Sequence, residues 1–274
     1  MFMQSKLQQI LKLKYNPVAI LWSDDKPEGA LKFAKNRWGC VMSLFAQAAK
    51  GKTAVVNKET AGCGGGEIGL GFGNSYYRRY PGGIECFYRF LSSGNADWET
   101  GLAAVEDYRR YNRTGGADDF LQGERYIKTP ELVKKRIDKM PEFDLGDKYV
   151  IFKPLQDVAA DKEQPEIIVI LANPEQLSAL VVLANYDRED GKNVIMPFGA
   201  GCHNIGILAY QEAKREKPRA VIGLTDISAR LQVINSLGRE YLTFAIPYKM
   251  FLEMESNVQG SFLERPTWHE LMGE

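Results

Sequence analysis

Three cysteines stand at glycine-marked turns, where a thiol is biased toward chemistry. Cys202 lies in Pro197-Phe198-Gly199-Ala200-Gly201-Cys202-His203-Asn204-Ile205-Gly206. Ile205, Ile207, Leu208, Tyr210 and Ala213 recur on a rough helical period beyond it, which predicts a helix from Cys202 to about Glu216. A helix start gathers unpaired N–H groups and the positive end of the macrodipole, so a thiol there is expected to lean toward thiolate. Arg37-Trp38-Gly39-Cys40-Val41-Met42 repeats the arrangement in the first half of the chain. Cys63 sits in a third setting, Ala61-Gly62-Cys63-Gly64-Gly65-Gly66-Glu67, with further glycines at 69, 71 and 73. Such a stretch lets backbone approach a ligand closely and aims several N–H groups at an anion or sulfide.

Three converging thiolates suit a soft metal or an iron–sulfur cluster. A [4Fe–4S] cube held by three cysteines keeps one iron open, unless Cys86, Glu67 or a small ligand completes it. Zinc with three thiolates is the other metal reading. Small buried cysteines at tight helix packings are the bland reading of the same residues. A thiol nucleophile needs a base, and the chain has two histidines. His203 follows Cys202 directly and points away from it at a helix start. His269, in a terminal Trp268-His269-Glu270 segment, reads as a surface residue. Gly64-x-Gly66-x-x-Gly69 matches a dinucleotide fingerprint on paper. It does not follow its strand directly, and no helix clearly opens on it, which argues against a nucleotide site.

Several elements must position these residues. Val18–Trp22, Lys52–Asn57, Tyr149–Pro154, Glu166–Leu171, Arg219–Gly223 and Tyr241–Ile246 read as short apolar strands. Asp24-Asp25-Lys26-Pro27 predicts a helix from Ala30 to about Asn36, and Asn173-Pro174 predicts one through Ala184. A strand, a Pro-started helix, a Gly-Cys helix and a strand thus recur in both halves. The expected fold is α/β: a pseudo-symmetric duplicated α/β unit with a mainly helical insertion, in one compact domain over residues 1–274. The repeat halves run over about 16–72 and 150–250, and the insertion over about 73–130. Carried to the next loops, the repeat brings Arg230 to the place equivalent to Cys63. Arg230 could then neutralise an anionic cluster or grip a ligand carboxylate or phosphate, or simply pair with Asp226. Asp226 could instead cap the helix carrying Arg230. The insertion is rich in Tyr and Arg (Tyr76, Tyr77, Arg78, Arg79, Tyr80) and reads as a lid or a surface subdomain.

Composition narrows the classes. Lys plus Arg and Asp plus Glu both total 35 in 274 residues, so no charge footprint points to nucleic acid or an anionic membrane. No apolar run is long enough to span a bilayer. The first residues are interrupted by polar side chains throughout and lack a signal-peptide core, so a cytoplasmic protein is expected. In a reducing compartment four cysteines are not expected to form structural disulfides. Asn112-Arg113-Thr114 is a glycosylation match without meaning there.

Asn16-Pro17-Val18-Ala19, Cys63 followed by Gly69-Leu70-Gly71-Phe72, Gly199-Ala200-Gly201-Cys202, and Ser228-Ala229-Arg230 before Ile246-Pro247 together resemble the domain of unknown function 169 family. The resemblance covers nearly the whole chain. It implies a prokaryotic protein, with Cys40, Cys63 and Cys202 on the family's cysteine positions and Arg230 on its late arginine. Cys86 stands outside that pattern, and no agreed reaction is implied. The leading expectation is a redox protein holding an iron–sulfur cluster or zinc on Cys40, Cys63 and Cys202, with a small-molecule ligand or redox partner. The alternative is a metal-free protein that binds a small anion with Gly64, Gly65, Gly66, His203 and Arg230.

Overall fold

The computed structural model describes residues 2–35, 37–73, 80–111 and 116–273. Seven strands are present among them: Val18–Ser23 (β1), Ala54–Val56 (β2), Tyr149–Pro154 (β3), Ile167–Ala172 (β4), Val194–Ile195 (β5), Ala220–Gly223 (β6) and Leu242–Pro247 (β7). They form one sheet in the order β2-β3-β1-β4-β7-β6-β5. Every neighbouring pair is antiparallel except β5–β6. The protein is therefore mixed α/β. Among the described residues no helix is long and apolar enough to cross a membrane.

Both faces of the sheet are covered, which is why its strands read as continuous apolar runs rather than alternating ones. Successive side chains point to opposite faces. Val18, Ile20, Phe152 and Val169 enter one core, beneath Lys6–Ile10's opposite number Val41–Ala49. Ala19, Leu21, Ile168 and Ile170 enter the other. Lys6–Ile10 is α1, on the second face, and Val41–Ala49 is α2, on the first. Gly64–Gly69 (α3) follows β2.

Gly83–Phe90 (α4), Glu99–Tyr111 (α5) and Ala117–Gln122 (α6) make up the expected helical insertion. It has a small core of its own, formed by Cys86, Ala104, Val105, Tyr108 and Phe120. Asn95, fully buried, donates to the carbonyls of Cys86 and Phe120 at 3.1 and 2.9 Å and ties α4 to α6. Tyr76, Tyr77, Arg78, Arg79 and the Asn112-Arg113-Thr114 match lie outside the described residues. Pro130–Ile137 (α7) follows, with Thr129 as its N-cap.

The second half adds Pro174–Ala184 (α8), Gly201–Ile205 (α9), Ile207–Ala213 (α10), Ile227–Leu237 (α11), Tyr248–Ser256 (α12) and Pro266–Leu271 (α13). Asn173 and Gln176 close a capping box on α8, at the helix start expected from Asn173-Pro174.

Strand order is mirrored about the central β1–β4 pair: β3 and β2 lie outward of β1, and β7 and β6 outward of β4. A doubling would give that mirror, but the helices do not repeat it. The helix expected from Ala30 is replaced, over the described residues to 35, by extended chain. Leu31 donates to Thr53 O at 2.9 Å and accepts from Val55 N at 2.8 Å. Those bonds pair it with β2's edge, and the local helix signal loses to them. The duplication thus remains an expectation.

Candidate functional site

Three short backbone turns deliver the three cysteines to one place. Cys40 is the N-cap of α2, with extended backbone and no side-chain capping bond. Cys63 is the N-cap of α3, its Sγ accepting from Gly66 N at 3.2 Å. The glycine stretch therefore does open a helix, contrary to the expectation of a loop. Cys202 is the second residue of α9, and its thiol donates to Gly65 O at 3.3 Å. All three line one cavity of about 790 Å³. That size is in the range of small-molecule sites.

Close helix packing explains part of the glycine pattern. A Cβ on Gly69 would stand 2.6 Å from His203 Cδ2 and 2.9 Å from Cys202 Sγ. A Cβ on Gly206 would stand 1.9 Å from Gly69 O. The C-terminal end of α3 thus lies backbone-to-backbone against the end of α9. The same contact breaks the helix expected over Cys202–Glu216. At Gly206 the backbone leaves helical geometry (φ −107°, ψ −110°), giving α9 and α10.

Burial, not the helix dipole, sets the thiols. Cys40 is pushed up from 9.0 to about 12, first by burial and then by the neighbouring Cys63 charge. Cys202 is also raised well above its ordinary value, by burial and then by Cys63, Cys40 and Asp226. The expected lean toward thiolate is overturned: N–H bonds at Cys40 pull the other way and are outweighed. The same causes show that the three thiols and Asp226 feel one another. Among the described residues, however, no group of three or more His, Cys, Asp or Glu side chains is arranged to hold a metal ion.

His203 is buried, and its Nε2 meets Gly65 O at 3.2 Å. A carbonyl only accepts, so that nitrogen carries the proton. Burial lowers the ring to about 4 and keeps it neutral. His203 lines the cavity as a fixed donor rather than as a base for Cys202. Gly64 and Gly65 also line it, whereas Gly66 is turned into the core.

Arg230 is elsewhere. Its guanidinium donates to the carbonyls of Leu224 (3.2 Å), Tyr241 (3.0 Å) and Arg239. It holds the corner after β6, where Leu224 takes a left-handed φ of 62°, to the segment entering β7. It is not among the cavity-lining residues, so the placement beside Cys63 fails. The equivalence was carried across the halves by residue count, and the two connections differ in shape. The pairing with Asp226 is replaced by capping: Asp226 Oδ1 accepts from Ser228 N and Oγ at 3.0 and 2.8 Å. Cys86 is buried in the insertion's core and Glu67 within α3, and neither lines the cavity.

The insertion, expected as a lid or a surface subdomain, lines part of the wall, and sequence reasoning missed the polar residues beside it. Tyr80, Phe87, Phe90 and Tyr108 from the insertion supply an aromatic side. Asp119, Glu124 and Tyr126 supply a polar one, together with Asp226. Burial lifts Glu124 from 4.5 to about 7, with the Asp226 and Asp119 charges adding to it and the nearby Ser228 and Tyr126 hydroxyls opposing it. No local motif marks these residues, because Glu124 and Ser228 meet only through the tertiary fold.

No curated protein and no solved structure matches the chain at a significant level. One family does, the domain of unknown function 169, described as "Uncharacterised ArCR": its pattern matches residues 6–257, and the chain belongs to that family.

Proposed function

We propose that the protein is a cytoplasmic redox protein that holds an iron–sulfur cluster on Cys40, Cys63 and Cys202 and binds a small organic ligand in front of it. One observation carries the reading: three cysteines from three separate turns line a single ligand-sized cavity. Thiolates are the ligand set of iron–sulfur clusters. Burial, and after it the neighbouring thiols, keeps Cys40 and Cys202 protonated, and a bound cation would oppose both by deprotonating a coordinating thiol outright. A cube spreads its thiolates over separate irons, wider than the ligand shell of one ion. Zinc on the same three thiolates is the second metal reading. A four-iron cluster on three cysteines would keep one iron free for a ligand.

The competing readings lose support. Anion capture by Arg230 lacks its main contact, because that guanidinium is spent on carbonyls. A free thiol nucleophile is disfavoured by the upward shift of Cys40 and Cys202 and by the neutral, carbonyl-bound His203.

Anaerobic purification with iron, sulfide and zinc analysis tests the proposal. Roughly four irons and four sulfides per chain are expected, before or after reconstitution. Cys40→Ser, Cys63→Ser and Cys202→Ser should each lower that content. A colourless chain that resists reconstitution overturns the cluster.

A further inference from the structure

The mouth of the cavity is apolar as well as its interior. Phe198 and Leu231 line the cavity yet stand 46% and 65% exposed, so they mark where it opens to solvent. Ile227, 59% exposed, lies one turn before Leu231 on the same face of α11. Phe198 is held in place: its ring meets Tyr126 edge-on, with centroids 6.0 Å apart, and the Arg136 guanidinium lies over it at 5.5 Å. Behind this entrance the aromatic lining comes from several elements, with Trp38 ahead of α2, Phe87 and Phe90 on α4, and Tyr126 after α6.

The charged groups of the wall come in both signs. Asp119, Glu124 and Asp226 stand against Arg136 and Lys139. Asp226 is engaged at the start of α11, where it accepts from Ser228 N and Oγ. The other two carboxyls share the wall with two cations, so a charged guest of either sign meets its like. The Phe198 face that could attract a cationic guest is already taken by Arg136.

We propose that the cavity takes an uncharged, ring-containing apolar compound, which enters between Phe198 and Leu231 and covers both. Taking such a compound and two exposed side chains out of water is favourable. A charged group buried among the rings loses its hydration without a wall of one opposite sign to replace it. Flat rings gain further from edge-on or offset contact with aromatic side chains. The proposal rests on the ligand-binding half of the reading above and does not need the cluster.

A matched series separates the ligand classes: at neutral pH pyrenemethanol is uncharged, pyrenebutyrate anionic and pyrenemethylamine cationic. Fluorescence anisotropy titrations of the full chain should show pyrenemethanol binding about tenfold more tightly than either charged probe. Leu231→Glu and Phe198→Ser should each weaken pyrenemethanol binding by about five- to tenfold. Both positions are exposed, so the variants should fold. Leu252→Glu, at a 51% exposed position of α12 on the opposite face of the sheet, should leave the affinity unchanged. A charged probe that binds as tightly as pyrenemethanol overturns the uncharged class but leaves ligand binding standing. Unchanged affinity in both mouth variants, or an equal loss in Leu252→Glu, overturns the entrance. No binding by any of the three probes overturns the ligand class and the ligand-binding half of the reading together, and iron analysis then judges the cluster by itself.

Discussion

Near pH 8, alkylation of Cys40 in the metal-free protein should run about a thousandfold slower than that of an ordinary cysteine. The attacking species is the thiolate. A thiol titrating at 9.0 is about one-tenth ionised there, whereas one titrating at about 12 is ionised in about one copy in ten thousand. The first cause is burial and the second is the Cys63 thiolate. Mutation separates them. Cys63→Ser removes the neighbouring charge but leaves Cys40 buried, so the titration should fall partway back toward 9.0 without reaching it. Pulses of iodoacetamide across a pH series, read by peptide mass spectrometry, give the rate at Cys40 alone. Occlusion slows every pH equally, so the midpoint and not the absolute rate is the criterion. A midpoint near 9.0 in the wild type would refute the reasoning, and so would a Cys63→Ser profile identical to it. The same shift has a consequence for stability. The folded state keeps its proton longer than the unfolded chain, so the contribution is present below 9.0 and drains away as pH rises toward about 12.

Gly69→Ala places a methyl group against His203 Cδ2 and Cys202 Sγ, and should cost about 1–3 kcal/mol in urea unfolding while lowering iron incorporation. A variant with wild-type stability and iron content would show that α3 and α9 are not packed as closely as described. Arg230→Ala removes donors from three carbonyls and releases the left-handed Leu224 corner. It should lower stability by about 2 kcal/mol yet leave iron content per folded chain unchanged. Loss of the cluster in a well-folded Arg230→Ala protein would count against that assignment. Glu212 is 3% exposed and clamped by Arg219 at 2.8 and 2.7 Å, with Arg215 at 3.3 Å. Arg219→Ala should therefore cost about 3 kcal/mol, checked by denaturation, and Arg219→Lys should recover only part of it.

Strands and capped helices were legible because local chemistry decides them. The run Glu166–Leu171 reads as a fully buried strand and β4 is one, shifted by a residue. Asn173-Pro174 reads as a helix start and opens α8. Cys40, Cys63 and Cys202 do line one cavity, but the tight cluster expected from a doubled fold unit is not shown among the described residues. Expectations failed where a distant segment overrode the local signal. Leu31 pairs with the edge of β2 instead of joining a helix, and Gly206 yields to the backbone of Gly69. Arg230 was misplaced because residue counts do not transfer between connections of different shape. Glu124 was invisible, since its upward shift comes first from burial in the folded chain and then from Asp226, a hundred residues away.

The insertion has its own small core, centred on Tyr108 and Phe120, yet it lends the cavity Tyr80, Phe87 and Phe90. Separate parts of the chain thus contribute the aromatic side chains and the cysteines of one wall. Substitutions on the inner surface of α4 and α5 can reshape what enters without disturbing the turns that carry the sulfurs.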